Sequence, residues 1–291
     1  MWQQKSFQNE ESKGILYLVP TPIGNLEDMS FRAVRILKEA DFIAAEDTRN
    51  TKKLCHYFEI DTPLMSYHEH NKQASGAKIV QLLKNGAKIA LVSDAGMPAI
   101  SDPGYELVQK ATEEQLAVVS LPGANAALTA LVASGLMTQP FYFYGFLSRH
   151  KKEKRKELEE LVKQTATILI YEAPHRLKET LQLMAEVLGE RKIVLCRELT
   201  KKYEELIRGT VSEAIEWANR EEVRGEFCLV VEGGSGSELT SELQPWWEQL
   251  SIKEHIEHYI SEGMAPKDAI KQTAKDRNIQ KRDVYHVYHV E

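Results

Sequence analysis

Short apolar runs alternate with helical stretches along most of this chain, and nearly every run stops in a loop of Pro, Gly, Asp or Asn. Ile15 to Val19 runs into PTPIGN, Phe42 to Ala45 into Glu46-Asp47-Thr48-Arg49, and Ala117 to Ser120 into Leu121-Pro122-Gly123-Ala124-Asn125. The stretch between helical residues Ala77–Lys84 and Tyr105–Glu114 is the most informative: Ile89 to Val92 breaks into SDAGMPAISDPG. Strands and helices alternating in short units predict an α/β domain with a largely parallel sheet. Open sheets of that kind take their ligands just beyond the carboxyl ends of the strands. The loop after Val92 carries Asp94 and Asp102 and no Lys or Arg, so it suits a ligand with hydroxyls or positive charge rather than phosphate. No G-x-G-x-x-G follows the first strand and no G-x-x-x-x-G-K occurs, which removes the main support for dinucleotide and P-loop readings.

The pattern continues with a different accent. Ala126 to Ser134 reads as a helix closed by Gly135, and Phe141 to Phe146 as an aromatic strand. Thr167 to Tyr171 is a strand ending in Glu172-Ala173-Pro174-His175-Arg176, followed by a helix to Leu188. Lys192 to Cys196, Glu204 to Thr210 and Glu226 to Val231 are further strands, with a helix over Val211 to Ala218. Ser30 is placed to cap a helix, and Asn85-Gly86 to stop one. Gly233-Gly234-Ser235-Gly236-Ser237 reads as a flexible linker. Beyond it the sequence is all helical: Ile252 to Ser261, Pro266 to about Asp276, and Lys281 to Val290, the outline of a helix-turn-helix unit. At 291 residues the chain suits two domains and a small appendage. The expected divisions are a frayed tail at 1–13, α/β domains at 14–122 and 123–232, a linker at 233–245 and a helical domain at 246–291.

Charge narrows the partners. A formal net charge of -6 excludes a generally basic nucleic-acid binder, so any RNA contact has to come from a local patch. Arg149 to Lys156 is such a patch, with six Lys or Arg against one Glu, and Arg149, Lys151, Lys152, Lys154 and Arg155 are its candidate phosphate contacts. Cys55, Cys196 and Cys228 are far apart in sequence and form no C-x-x-C, which argues for reduced thiols and against a disulfide framework or a zinc knuckle. His68 and His70 lack further ligands at zinc-like spacing, and His255/His258 and His286/His289 read as pairs on solvated helix faces, so no metal is expected. The first dozen residues are polar, with no apolar h-region, and no stretch approaches the ~20 apolar residues of a bilayer span, so a cytoplasmic location and no membrane partner are expected.

The blocks VPTPIGNLEDMSFRA, AAEDTRNT, LVSDAGMPAISDPG, LPGANAALTALVASG, FYGFL, YEAPHR and Arg197-Glu198-Leu199-Thr200-Lys201 resemble, in this order, the tetrapyrrole methylase-like family. The resemblance covers roughly residues 14–232 and is nearest to the members that act on ribosomal RNA; Pro20 stands where those members usually have Gly. It implies two α/β domains with a cofactor cleft between them, S-adenosylmethionine as methyl donor, and a homodimer. It also implies 2′-O-methylation of a cytidine, number 1402 in the usual scheme, in the decoding region of 16S rRNA, offered as RNA or as the small ribosomal subunit. By the same resemblance the cofactor lies on Pro22, Ile23 and Gly24, on Asp94, Ala95, Gly96, Ile100 and Ser101, and on Ala124, Asn125, Ala126 and Ala127, with Tyr171, Glu172 and Gly225 added from the second domain. A ribose hydroxyl is a weak acid, so a base or a cation beside the developing alkoxide helps the transfer. Candidates are Asp47 and Arg49 of EDTR and Glu172, His175 and Arg176 of EAPHR. Two rival readings are a methylase of the same fold acting on a tetrapyrrole or a protein side chain, and a non-catalytic RNA-binding assembly factor.

Overall fold

The computed structural model describes residues 1–5, 13–234, 247 and 250–290. Residues 1–234 pack as one compact unit containing two five-stranded sheets, and residues 235–291 form a second unit. The expected linker therefore begins at Gly233 and Gly234, and from residue 235 to 245 it lies outside the described residues.

The first sheet comprises β1 (Ile15–Leu18), β2 (Phe42–Ala45), β3 (Leu64–Ser66), β4 (Lys88–Val92) and β5 (Ala117–Ser120), in the order β3-β2-β4-β1-β5 and parallel throughout. Its central strands are apolar on both faces because both faces are covered. Helices α1 (Phe31–Glu39) and α2 (Thr48–Tyr57) pack Ala33, Leu37 and Cys55 against Ile43, Ala90 and Val92. Helices α3 (Lys72–Lys84) and α4 (Tyr105–Glu113) pack Ile79, Leu83 and Leu107 against Leu16, Ile89 and Leu91. The loops leaving neighbours β1 and β4 thus turn to opposite faces, which makes their carboxyl ends a topological switch point.

Helix punctuation follows the sequence. Ser30 Oγ accepts from Ala33 N at 3.1 Å, and Asn85 ends α3 before Gly86 turns left-handed at φ 91°. Helix α3 starts at Lys72, five residues before the sequence reading placed it. The tail is not wholly frayed: Gln4 exchanges hydrogen bonds of 2.8 and 2.9 Å with the backbone of Val118 on the edge strand β5.

Helix α5 (Ala126–Ser134) opens the second half, capped by Asn125 Oδ1 on Leu128 N at 3.0 Å and closed by Gly135 at φ 82°. The second sheet comprises β6 (Phe141–Phe146), β7 (Thr167–Glu172), β8 (Lys192–Arg197), β9 (Glu205–Thr210) and β10 (Phe227–Val231), in the order β6-β7-β10-β8-β9. Only β6 and β7 pair in parallel; the other three pairings are antiparallel. No helix separates β8 from β9, so they form a hairpin, and β10 returns to fill the gap between β7 and β8. Helices α6 (Lys151–Leu161), α7 (Pro174–Leu188) and α8 (Val211–Arg220) cover one face with Leu158, Leu181, Met184 and Val211, while α5 covers the other with Ala127, Ala130 and Leu131.

In the second unit, α9 (Ile252–Ser261), α10 (Pro266–Asp276) and α11 (Lys281–Val290) enclose Ile256, Ala269, Ile270 and Val284. His255, expected on a solvated face, is fully buried, stacks on Trp247 at 5.3 Å, and accepts from Arg277 Nε at 3.1 Å. Burial and the adjacent Arg277 charge pull its pKa down.

Candidate functional site

Three loops meet at the switch point. Thr21 and Gly96 exchange backbone hydrogen bonds of 3.0 and 2.9 Å, and buried Thr21 Oγ1 donates to Ser93 O at 3.1 Å, so the loops after β1 and β4 are stitched together. Gly96 adopts φ +78°, which favours glycine. The loop after β5 is pressed onto the first: a Cβ on Gly123 would stand 2.7 Å from Cβ of Pro20, so the proline ring fills the space that glycine leaves open.

These loops and the ends of β7, β8 and β10 enclose a cavity of ≈ 530 Å³. Of the residues expected to hold a cofactor, Ile23, Ala95, Gly96, Ile100, Ser101, Asn125, Ala126, Tyr171 and Glu172 line it. Pro22, Gly24 and Asp94 instead line an adjoining recess of ≈ 350 Å³. Asp94 uses its carboxylate to tie the β4 loop to α2, accepting from Asp47 N at 3.2 Å and Asn50 Nδ2 at 3.1 Å. Ala124, Ala127 and Gly225 are not among the residues lining these cavities. Ala127 N–H donates to Tyr171 Oη at 3.1 Å, which ties α5 to β7, and burial pushes that phenol up to about 12. Gly225, at φ +83°, lets the Glu198 side chain lie against the backbone where a Cβ would come within 2.5 Å of it.

Met97, Phe146, Cys196, Glu198, Lys201, Glu226 and Cys228 are not among the expected site residues, yet all line the cavity, and so does Asp102 of the acidic loop after Val92. Cys196 and Cys228 stand opposite each other on β8 and β10, on the α5 face, where the alternation of each strand puts them. They are free thiols, and burial pushes Cys196 up to about 12. Lys201 Nζ donates to Glu198 and Glu226, each at 2.9 Å; burial works against its charge, but the two carboxylates outweigh it and its pKa is raised. Burial, reinforced by the charge of Asp94, raises the Asp102 carboxyl against the pull of Ser93's hydrogen bond. Burial also raises Glu46, with Asp102 and Asp94 adding to the effect.

The five catalytic candidates separate. Asp47 caps α2 through Arg49 N at 2.8 Å and holds the Arg49 guanidinium at 3.0 and 2.7 Å; these bonds bring its carboxyl down to about 2, which makes it a poor base. Glu172 is buried and turned inward, accepting from Thr180 Oγ1 at 2.6 Å and Ala173 N at 2.9 Å, with Arg176 Nε at 3.2 Å. Arg176 Nη2 then clamps the loop after β6, donating to Leu147 O at 2.6 Å and Ser148 O at 2.9 Å. His175 lines the cavity mouth beside Pro174 and keeps an exposed imidazole there.

The basic run is a helix, and it is not uniformly solvated. Lys154 is 1% exposed, with Nζ 2.9 Å from Glu179 Oε1 and 3.1 Å from Thr180 Oγ1, and Arg155 pairs with Glu186. Lys154 is therefore withdrawn from any solvent-borne phosphate, whereas Arg149, Lys151 and Lys152 remain exposed. Lys154→Ala is expected to cost about 2 kcal/mol, from lost charged hydrogen bonds and a packed stem. That should lower the melting temperature by roughly 4–8 °C, while Lys151→Ala leaves it unchanged. Thermal denaturation of the two variants side by side checks this. Among the described residues, no three His, Cys, Asp or Glu side chains gather as metal ligands.

A family model described as Tetrapyrrole (Corrin/Porphyrin) Methylases matches residues 15–215. The chain is 65% identical over 288 residues to a Bacillus subtilis protein named ribosomal RNA small subunit methyltransferase I, covering 99% of this chain and 98% of the relative. A protein of the same name from Halalkalibacterium halodurans is 58% identical over 291 residues and 100% of both chains. Among solved structures, uroporphyrin-III C-methyl transferase from Thermus thermophilus complexed with S-adenyl homocysteine superposes with a TM-score of 0.53 at 17% identity, covering 78% of this chain and 100% of the other. At that identity the likeness speaks for the fold.

Proposed function

Because the chain belongs to the tetrapyrrole (corrin/porphyrin) methylase family, we propose that it transfers a methyl group from S-adenosylmethionine to small-subunit ribosomal RNA, at the 2′-oxygen of cytidine 1402 of the 16S molecule. The name shared by relatives 65% and 58% identical over nearly the whole chain supports the RNA substrate. The observation that carries the donor is the charge of the cavity wall. Asp102, Glu198 and Glu226 line it beside the inward-turned Glu172, and Lys201 is the one Lys or Arg among its described lining residues. A wall of that sign, with Ile23, Met97, Ile100, Phe146 and Leu199 around it, fits an organic cation that bears hydroxyls and no phosphate.

Asp102, Ser101 and Asn125 supply acceptors for the donor's hydroxyls and ammonium, and the backbone at Ala95 supplies an N–H for its carboxylate. The bound donor contributes a methyl already activated by positive sulfur. What the chain adds is chiefly alignment, worth up to about 7–11 kcal/mol in favourable cases. Glu172 and Arg176 are committed to the internal clamp and Asp47 to Arg49, which leaves His175 as the predicted base that faces the cavity. In this reading it takes the hydroxyl proton.

The reading extends to a cytoplasmic homodimer. Leu128 and Val132 of α5 and Phe141 and Tyr142 of the edge strand β6 are exposed and offer apolar surface to a second copy. No described helix is long and apolar enough to cross a membrane. Mass mapping of 16S rRNA from cells with and without the protein tests the function. One ribose methyl should vanish in its absence and return when the protein and donor are added to the RNA or the subunit. An rRNA unchanged at every nucleotide contradicts the proposal and favours another acceptor or a non-catalytic role.

A further inference from the structure

On the far side of the loop Pro22–Asn25 from the cavity lie two adjoining recesses, ≈ 350 and ≈ 510 Å³, that share Gly24, Leu26 and Tyr57. One face of α2 forms one wall, with Asn50, Lys53, Leu54 and Tyr57 at helical spacing. The β8–β9 loop forms the other, with Thr200, Lys201 and Lys202. Its chemistry contrasts with that of the cavity. Tyr57 is 62% exposed, its ring braced edge-on by Phe58 at 4.9 Å, and Tyr203 is 70% exposed with the Lys202 ammonium 5.3 Å from its ring centroid. Among the described residues, no carboxylate lies within ion-pair distance of Lys53 or Lys202. The acids that face the groove are Glu27 and Asp94, and Asp94 is engaged by Asp47 N and Asn50.

The β8–β9 loop is held in shape rather than loose. Glu198 and Thr200 sit in the left-handed region at φ 50° and 68°, and Glu204 Oε2 accepts from Thr200 N at 2.7 Å. Strained residues kept in place by their surroundings are a mark of functional loops. Lys201 lines both the larger recess and the cavity, so the groove and the site share a wall.

Exposed aromatic faces interleaved with unpaired cations are what single-stranded nucleic acid requires: rings on which unstacked bases lie, and ammonium groups for the phosphates between them. A ribose hydroxyl that enters the cavity brings its flanking nucleotides to the rim, and a nucleotide drawn out of its helix leaves them unstacked. We propose that the groove between α2 and the β8–β9 loop binds the single-stranded nucleotides that flank the target, with a base on Tyr57 and phosphates on Lys53 and Lys202. This rests on the rRNA reading above and moves the main RNA contact away from α6, where the sequence alone had placed it.

The test uses the full chain, a single-stranded 16S fragment spanning the target, and fluorescence anisotropy at several salt concentrations, with donor affinity measured calorimetrically on the same preparations. Tyr57→Ala should weaken RNA binding about tenfold or more, and Tyr57→Phe should bind like wild type. Lys53→Glu with Lys202→Glu should weaken binding further and flatten its salt slope by roughly 1.4, two phosphate contacts' worth. Donor affinity should not change in any of them, since none of the three residues lines the cavity. Groove variants that bind like a wild-type protein still able to methylate this RNA overturn the proposal. So does loss of binding confined to charge reversal of Arg149, Lys151 and Lys152. A wild-type protein that neither binds nor methylates the fragment or the small subunit overturns the rRNA reading itself.

Discussion

Glu172→Ala is expected to destabilise the unit spanning residues 1–234 by about 3–5 kcal/mol, the range for removing one partner of a buried ion pair. The carboxylate has no exposed side-chain surface; it accepts from Thr180 Oγ1 and Ala173 N and lies 3.2 Å from Arg176 Nε as an ion pair. Its loss leaves the half-buried Arg176 cation without its counter-charge and the fully buried Thr180 hydroxyl without its acceptor. Thr180 also receives Lys154, so the damage reaches from the cavity wall through α7 into α6. Glu172→Gln keeps the shape and one acceptor and should cost visibly less. Chemical denaturation with linear extrapolation measures both. If Glu172→Ala melts like wild type and only turnover falls, the carboxylate is catalytic and the internal clamp is incidental.

The second large effect is expected at Asp102, where two consequences have opposite signs. Burial and the Asp94 charge make its ionised form costly in the free protein, so Asp102→Asn should stabilise the ligand-free chain. The same change removes an acidic acceptor from the cavity wall and should weaken S-adenosylmethionine by about ten- to a hundredfold, as loss of a hydrogen bond between charged groups does. The pH dependence follows from the direction of the shift. A raised folded pKa means that the native state holds the proton more tightly than the unfolded chain. Stability contributed by Asp102 is therefore greatest at low pH and falls as pH rises from the ordinary carboxylate range through the raised value. Donor affinity rises across the same window as the carboxylate ionises, and Asn at this position should flatten both slopes. Calorimetry of donor binding against pH, paired with melting curves, checks the two together. A variant that binds donor normally at neutral pH would remove Asp102 from the site.

Much of this could be read from the residues in order. The strand ends, the Ser30 cap, the Asn85-Gly86 stop and the Gly135 terminus are local chemistry, and local chemistry is what a sequence displays directly. The three loops at the switch point follow from it. The antiparallel character of the second sheet does not, because it depends on where β10 inserts, a pairing between residues 30 or more positions apart. Cavity residues such as Cys196 and Cys228 were invisible for the same reason: ordinary core residues on their strands, they become a wall only once α5 and the first sheet's loops come over them. Glu172 and Arg176 carried a catalytic look that burial redirects into structure. Lys154 was hidden inside a run of like charges, though its spacing with Leu158 and Leu161 on α6 marks the inward face and was available as a signal.

The place of β10 bears on how the protein is made. The last strand of this unit to be synthesised occupies the middle of its sheet, and β7 and β8 wait for it with unpaired backbone edges. Until Phe227 to Val231 have left the ribosome, the cavity lacks Phe227 and Cys228 and the second sheet is two separate pieces. The first sheet, complete by Ser120, has no such dependence. A nascent chain therefore holds every strand of its first sheet well before it holds every wall of the cavity.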